Sequence, residues 1–78
     1  MNEENSEFYQ ALSVFCTRYD PATEADVTDY FSSQEIQRIV ENHVGIKIEL
    51  PILYELLIEM NYKYLLQDDE FKWMVKKE

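Results

Sequence analysis

The sequence has few of the residues on which disulfide frameworks, metal sites and flexible linkers depend. Its 78 residues include one cysteine, one histidine, one glycine and two prolines. A single cysteine excludes a disulfide framework, and one cysteine with one histidine is too few for a zinc site. So little glycine and proline excludes a collagenous or loop-dominated chain. The hydrophobic fraction of 46% and the aromatic fraction of 14% instead indicate one packed domain over residues 1–78.

Long apolar runs and positive charge are also lacking. No apolar run approaches the ~20 residues of a membrane span, and the chain starts MNEEN, which is acidic where a signal peptide is basic. We therefore expect a cytoplasmic protein that makes no contact with membranes. Seven Lys and Arg against sixteen Asp and Glu give a net charge of −9. Such a chain repels nucleic-acid phosphates unless its bases gather on one face.

No motif of an enzyme is present. The chain has no glycine-rich phosphate loop, no HExxH and no nucleophile elbow. Cys16 flanks the apolar stripe of the first predicted helix, where a small core filler is the expected role. His43 ends the apolar stripe of the second predicted helix, and a partly buried or dipole-favoured ring is expected there. We expect no catalytic residue, no cofactor, no metal and no small-molecule ligand.

Apolar residues recur at three- and four-residue spacing in three segments. This spacing predicts amphipathic helices at about 4–19, 33–43 and 51–60. The second helix is preceded by a capping box of Ser32 and Glu35, and Gly45 is its expected left-handed stop. Residues 22–31 fit a short helix and an extended segment equally well. Residues 46–49 alternate like a short strand or an extended connection.

Large apolar residues alternate with other residues over the last part of the chain. The alternation predicts a two-stranded antiparallel hairpin at about 62–76, folded at Asp68-Asp69 or through a four-residue loop at 67–70. The expected cross-strand pairs are Tyr62–Val75, Tyr64–Trp73 and Leu66–Phe71. These six side chains then share one face, and we expect them to form one side of the core. An isolated hairpin is marginal in water, so it must pack on the helices.

The predicted order is helix, short segment, helix, connection, helix and hairpin, and it resembles a winged helix-turn-helix domain. Residues 30–36 are similar to the strand that leads into the second helix of that family. The helix at 51–60 takes the place of the recognition helix, and 62–76 that of the wing. Residues 53–64, with a hairpin ending in Trp73-Met74-Val75, are similar to small winged domains of mobile-element proteins. The resemblance implies an α+β fold and a small regulatory or accessory protein that binds DNA.

If DNA is bound, contacts to backbone phosphates are the expected mode. The candidate residues are the hairpin lysines, Lys63, Lys72 and Lys76, together with Lys47 and Arg38. The predicted recognition helix lacks the Arg, Lys, Asn and Gln side chains that read base edges, and it carries acidic residues instead. Lysines on an exposed strand also protect it from edge pairing, an interpretation of equal weight.

The alternative is an acidic protein–protein interaction module that does not bind DNA, either a homodimer or a module for another partner. Its candidate interface lies on the side of the helix at 51–60 away from the leucines: Tyr54, Ile58, Glu55 and Ile52. Apolar side chains mark an interface when they are gathered and mean little when they are scattered. A symmetric dimer through Tyr54 and Ile58 is the simplest arrangement, because a two-fold interface uses one patch twice.

Overall fold

A computed structural model describes residues 3–77, with side chains described from Glu7 onward. Three helices and four strands follow one another along the chain. They are α1 (Glu3–Arg18), β1 (Tyr19–Pro21), β2 (Asp29–Phe31), α2 (Ser33–Val44), α3 (Leu50–Glu59), β3 (Lys63–Gln67) and β4 (Glu70–Lys77). The four strands form one antiparallel sheet. The α+β class and the three helices are therefore as predicted, whereas the sheet has four strands instead of two.

The helix α1 packs through the stripe that its spacing predicts. Ala11, Leu12 and Phe15 are at most 2% exposed. The helix ends at Arg18 because the chain continues directly into β1, where Tyr19 pairs with Lys77. No helix among residues 3–77 has the length and apolar character to cross a membrane.

The helix α2 begins at the predicted capping box. The Ser32 hydroxyl accepts a hydrogen bond from the Glu35 backbone N–H at 3.1 Å, and the Glu35 carboxylate accepts one from the Ser32 N–H at 3.1 Å. Ile36 and Val40 enter the core. His43 is exposed in the last turn, where its Nδ1 lies 2.9 Å from the Ile39 carbonyl oxygen. The partly buried histidine of the sequence interpretation is therefore not seen, and the position near the negative end of the helix remains.

Gly45 ends α2 in the left-handed region, with φ of 78°, and its N–H donates to the Glu41 carbonyl. A Cβ at this position would meet nothing within 4 Å, so only backbone strain opposes a side chain. We expect Gly45→Ala to lower the free energy of unfolding by about 1 kcal/mol. Gly45→Asn should cost less, because asparagine tolerates this conformation. Urea titrations of the three proteins measure the difference, and equal stability of all three would contradict it.

The leucines of α3 pack the helix against the core. Leu53, Leu56 and Leu57 are at most 2% exposed, and Asn61 follows the helix with a positive φ of 70°. The preceding residues 46–49 form an extended connection rather than a strand. Ile48 is fully buried there, and its carbonyl accepts a hydrogen bond of 2.7 Å from the Gln37 side chain. This contact fixes the connection against α2.

The long strand β4 is the centre of the sheet. β3 pairs with its first half, through Lys63–Met74 to Gln67–Glu70, and β1 pairs with residues 75–77. β2 pairs with residues 73–75, which overlap both partners, so β2 must lie on the opposite edge of β4. The helices cover one face of this sheet. Trp73 is 1% exposed on that face, and its indole N–H donates to the Ser33 hydroxyl at 2.9 Å.

Residues 22–31 combine a crossing loop with a strand. β1 and β3 pair with the same edge of β4. β1 ends at Pro21, opposite Val75, because β3 occupies that edge along residues 70–74. The loop 22–28 therefore passes across the outer face of β4 to reach β2 on the other edge. Its Ala22 N–H donates to the Met74 carbonyl at 3.3 Å, and its Thr28 N–H donates to the Val75 carbonyl at 2.9 Å. Asp29–Phe31 is a strand, so the extended interpretation holds for these residues.

Three details of the predicted hairpin differ in the structure. β3 begins at Lys63, and Val75 pairs with Pro21 and Asp29 instead of Tyr62. Leu66 and Phe71 form the expected pair, but they are 63% and 58% exposed rather than part of the core. Both residues lie next to the turn, at the end of the hairpin.

Candidate functional site

The exposed side of α3 carries two large apolar residues and two acids. Tyr54 is 44% exposed and Ile58, one turn later, is 43% exposed. Glu55 and Glu59 are exposed beside them. Ile52, the fourth residue of the predicted interface, is half-buried and packs against the core. Tyr54 and Ile58 thus lie on the surface, with acids beside them.

Aromatic contacts extend this surface from α3 onto the hairpin. The Tyr54 and Tyr64 ring centroids are 5.8 Å apart, and their hydroxyl oxygens lie 3.3 Å apart. Tyr64 then contacts Phe71 edge to face at 5.1 Å. Leu66 pairs with Phe71 across the strands, and Ile58 lines the same shallow depression as Tyr64. We call these five residues the α3–hairpin surface: Tyr54, Ile58, Tyr64, Leu66 and Phe71.

The α3–hairpin surface rests on a rigid base. The ring centroid of the buried Trp73 lies 5.8 Å from that of Tyr54 and 5.1 Å from that of Tyr64. Aromatic side chains have few rotatable bonds, so a surface built on them loses little conformational entropy when it is covered. Such residues are also enriched at protein interfaces. The surface therefore combines exposed apolar area with preorganised side chains.

Acids lie around the α3–hairpin surface. Asp68, Asp69 and Glu70 at the hairpin tip are exposed. The two aspartates have φ of 51° and 64°, the conformation of a two-residue type I′ turn. With Glu55 and Glu59 on α3, they give the surface an acidic border at two ends. These carboxylates would repel the phosphates of a nucleic acid that approaches this face.

The three hairpin lysines of the sequence prediction share the outer face of the sheet. Lys72 and Lys76 flank Met74 along β4, and Lys63 lies directly opposite Met74 on β3. Met74 itself is 5% exposed, whereas the sequence pattern placed it outward with the lysines. The loop 22–28, which crosses this face, accounts for its burial. The structure therefore brings the three lysines together around a covered methionine.

Acids accompany two of these lysines. The Lys72 ammonium lies 3.6 Å from one Glu35 carboxylate oxygen and 3.4 Å from one Glu70 oxygen. The pKa of Glu35 is lowered, first by the Ser32 backbone N–H and also by the Ser32 hydroxyl and Lys72. Two carboxylates of the protein thus offset the positive charge of Lys72. Only a net positive face would draw phosphates to an acidic chain.

Lys76 also has acidic neighbours. Asp20 lies directly opposite Lys76 in the ladder of β1 and β4. The Asp26 carboxylate accepts a hydrogen bond of 2.8 Å from the Thr23 N–H, which is the main cause of its lowered pKa, and Lys76 lowers it further. Lys72 and Lys76 therefore face four carboxylates between them: Glu35, Glu70, Asp20 and Asp26. Carboxylates therefore accompany two of the three hairpin lysines.

Arg38 and Lys47 form a second, separate group. Both line an open cleft on α2 and the following connection, together with Gln34, Gln37 and Glu41. Both are exposed, and Glu41 places a negative charge beside them. The five residues proposed for phosphate contacts thus lie on two elements of the fold: the outer face of the sheet and the α2 cleft.

The groups with nucleophilic or ligand-binding chemistry are packed or isolated. The Cys16 thiol lies 3.6 Å from the Met60 sulfur, and burial raises its pKa, which keeps it protonated. An apolar hollow of about 120 Å³ between α1 and α2 includes Phe15, Arg18 and His43, well below the roughly 300–1,000 Å³ of ligand pockets. Among residues 7–77, no three His, Cys, Asp or Glu side chains cluster in a way that could hold a metal ion.

Comparisons with known proteins add no relative. No protein-family model, no curated protein and no solved structure matches this chain. The functional interpretation therefore depends on the surfaces described above.

Proposed function

We propose that this chain is a small non-enzymatic regulatory or accessory domain of winged-helix type, which acts by binding protein through the α3–hairpin surface. The observation that carries the proposal is the contiguity of four exposed apolar residues, Tyr54, Ile58, Leu66 and Phe71, around the half-buried Tyr64. Tyr54, Tyr64 and Phe71 form a chain of ring contacts, and each of the five residues is linked to another member. Gathered apolar side chains on a small domain mark an interface.

The order of elements supports the winged-helix part of the proposal. α1 is followed by β2, α2, α3 and the hairpin of β3 and β4. β2 pairs with β4, so the short strand before α2 joins the hairpin in one sheet. In this interpretation α3 stands at the position of the recognition helix, and the hairpin is the wing. β1 is an addition to that pattern.

The chemistry of α3 favours a protein as the partner. A DNA-reading helix presents Arg, Lys, Asn or Gln to base edges, whereas this helix presents Tyr54, Glu55, Ile58 and Glu59. Desolvating Tyr54 and Ile58 against another apolar surface is favourable by about 25 cal/mol per Å². Bringing Glu55 and Glu59 toward phosphates is unfavourable. The same residues that oppose DNA binding therefore suit a protein interface.

Ile58→Lys tests the protein-binding proposal. A photo-crosslinking amino acid at position 71 should react with a bound protein, either in the purified chain or in an extract of the cells that express it. We expect Ile58→Lys to abolish that crosslink, because a charge within the surface opposes desolvation. The control is Val44→Lys, because Val44 is also an exposed aliphatic residue near the end of a helix, here α2. This variant should leave the crosslink unchanged. Unaltered crosslinking in both variants, or none in the wild type, would contradict the proposal.

DNA binding is the second candidate, and the shared face of Lys63, Lys72 and Lys76 is the observation that favours it. Because carboxylates accompany Lys72 and Lys76, we expect no retardation of duplex DNA by micromolar protein, even at low salt. A gel-shift titration measures this directly. Glu35→Gln with Glu70→Gln frees Lys72 and is the matched variant. Retardation by the wild type that weakens steeply with salt would favour the DNA-binding candidate instead.

A further inference from the structure

The sheet has one long edge that is open within the part of the chain described. β1 and β2 have three residues each, and β1 ends in a proline, which cannot donate a ladder hydrogen bond. β3 has five residues without proline or a bulge, and within residues 3–77 it pairs with β4 alone. Short length and proline are devices that protect edges from pairing, and β3 has neither. Its one charged residue, Lys63, stands at the start of the strand.

The hairpin turn determines which backbone groups of β3 face the open edge. In a two-residue hairpin the residues that flank the turn form a hydrogen-bonded pair, here Gln67 and Glu70. Hydrogen-bonded and non-hydrogen-bonded pairs then alternate along the ladder. Residues 63, 65 and 67 therefore direct their N–H and C=O groups at β4. Tyr64 and Leu66 direct theirs away from the sheet.

We propose that the open edge of β3 binds the β3 strand of a second copy of this chain, in an antiparallel pair centred on Leu65. This inference rests on the proposed protein-binding function and names the partner. With Leu65 at the two-fold axis, Tyr64 of each copy lies opposite Leu66 of the other. These are the two residues whose backbone groups face outward, so each such pair exchanges both hydrogen bonds. A change of pairing by one residue, for example Tyr64 opposite Leu65, would bring opposite faces of the strands together, which two-fold symmetry forbids.

The side chains suit the same register. Tyr64 and Leu66 lie on the face of the sheet that carries the α3–hairpin surface, so pairing places Tyr64 of each copy against Leu66 of the other on that face. Leu66 and Phe71, which are 63% and 58% exposed in the single chain, then lie at the junction of two such surfaces. Cross-strand pairs of an aromatic and a large aliphatic residue are favourable. One continuous sheet would span both copies.

Charge also favours this edge for a second copy. The chain carries sixteen acids, yet the β3 sequence, KYLLQ, has none. In the proposed register Lys63 lies opposite Gln67 of the second copy and diagonally beside its Asp68. The acidic hairpin tip of each copy therefore meets the lysine of the other, rather than its own equivalent. Dimerisation through α3 alone would instead bring Glu55 and Glu59 close to their own copies.

Sedimentation equilibrium combined with hydrogen exchange tests the pairing in the intact wild-type chain. We expect a dimer that forms between low micromolar and near-millimolar protein. When nine-tenths of the chains are paired, exchange of the Tyr64 and Leu66 amides should be about tenfold slower than in the dilute sample. Exchange of the Leu65 amide, which faces β4 in both states, should not depend on concentration. A monomer at the highest concentration overturns the proposal, and so does a dimer without protection of these two amides.

Leu66→Pro and Leu66→Thr form the matched pair of variants. Proline removes the outward N–H of Leu66 and no hydrogen bond to β4, while threonine keeps the N–H and is a good strand former. We expect Leu66→Pro to abolish the dimer and Leu66→Thr to retain it in weakened form. Circular dichroism establishes that both are folded, and if Leu66→Pro is not, the amide-exchange result alone decides. Equal association of the two variants overturns the register.

The outcome also separates this inference from the proposed function. A monomeric wild type whose position 71 still crosslinks to another protein, with loss of the crosslink in Ile58→Lys, removes the β3 dimer and leaves the protein-binding surface. A monomer without any crosslink removes both.

Discussion

Trp73→Ala is expected to leave the chain largely unfolded at 25 °C. The indole is 1% exposed, contacts the Tyr54 and Tyr64 rings, and donates to the Ser33 hydroxyl. Replacing a buried tryptophan by alanine costs about 3–5 kcal/mol. A domain of this size has only about 4–12 kcal/mol in total. For a stability in the lower half of that range the loss is most or all of it, and the substitution also removes the base of the α3–hairpin surface.

Phe71→Ala is the matched control for Trp73→Ala, on the same strand and also an aromatic residue. Phe71 is 58% exposed and contacts Tyr64 at its edge. We expect it to cost less than about 1 kcal/mol, because little area leaves the protein interior. Urea titrations followed by circular dichroism measure both changes. If Phe71→Ala were as damaging as Trp73→Ala, the exposed position of the hairpin end would be wrong.

Local signals were sufficient to predict the helices and the register of the hairpin. The Ser32–Glu35 capping box, the glycine at 45 and the leucine spacing of α3 each act within a few residues. The hairpin register follows from alternation and a two-residue turn, and both Asp68 and Asp69 adopt the positive φ that this turn requires. Aspartate tolerates this region of φ and ψ better than most residues, so Asp-Asp can stand where Asp-Gly is more common.

The missed features of the fold depend on distant residues. β1 is a strand because Tyr19 and Asp20 meet Lys77 and Lys76, more than fifty residues along the chain. Its three residues offer no alternation to detect. Met74 is buried because the loop 22–28 crosses it. The alternation of residues along β4 cannot predict the position of that distant loop. The exposure of Leu66 and Phe71 likewise depends on which parts of the sheet the helices cover, not on the pattern of the hairpin itself.

The candidate site was predictable in part for the same reason. Tyr54 and Ile58 lie opposite the leucines on α3, so helical periodicity is enough to place them on the surface. Tyr64, Leu66 and Phe71 match the pattern of core residues. Leu66 and Phe71 belong to the α3–hairpin surface because they are exposed, and Tyr64, which packs against the core, belongs to it through its contacts with Tyr54 and Phe71. The pairing of Lys72 with Glu35 joins residues on different elements. A charge pattern read along the chain therefore overstated the positive character of the sheet face.

Tyr62 should make the domain lose stability above pH 10. Its ring is 2% exposed, and its hydroxyl donates a hydrogen bond to the Tyr19 carbonyl. Burial, followed by the neighbouring Cys16 thiol, raises the pKa of Tyr62 far above its ordinary value. Burial likewise raises the pKa of the Cys16 thiol. Both groups stay protonated in the folded state at pH values where the unfolded chain has released its protons.

The direction of the pH effect follows from proton counting. Below about pH 10, the Tyr62 hydroxyl is protonated in both states, and its contribution to stability is fully present. Above that value the unfolded state releases the proton and the folded state keeps it, so each further pH unit favours unfolding by about 1.4 kcal/mol. At pH 12 the accumulated loss from this one group is about 2.7 kcal/mol. The raised pKa of the Cys16 thiol adds an effect of the same sign.

Tyr62→Phe isolates the contribution of the hydroxyl. At pH 7 we expect the variant to be less stable than the wild type by about 1–2 kcal/mol, because the Tyr19 carbonyl loses its donor. From pH 10 upward the wild type should lose stability faster, so that the two curves cross near pH 11 and the variant is the more stable protein at pH 12. Urea titrations at half-unit steps between pH 7 and 12 measure the crossing.

Tyr30→Phe, at a ring that is 42% exposed on β2, should follow the wild-type curve, since water reaches that hydroxyl in both states. Parallel curves for Tyr62→Phe and the wild type would show that the Tyr62 hydroxyl is not held in the interior as described, and the contact that joins the residue before β3 to the start of β1 would have to be reassigned.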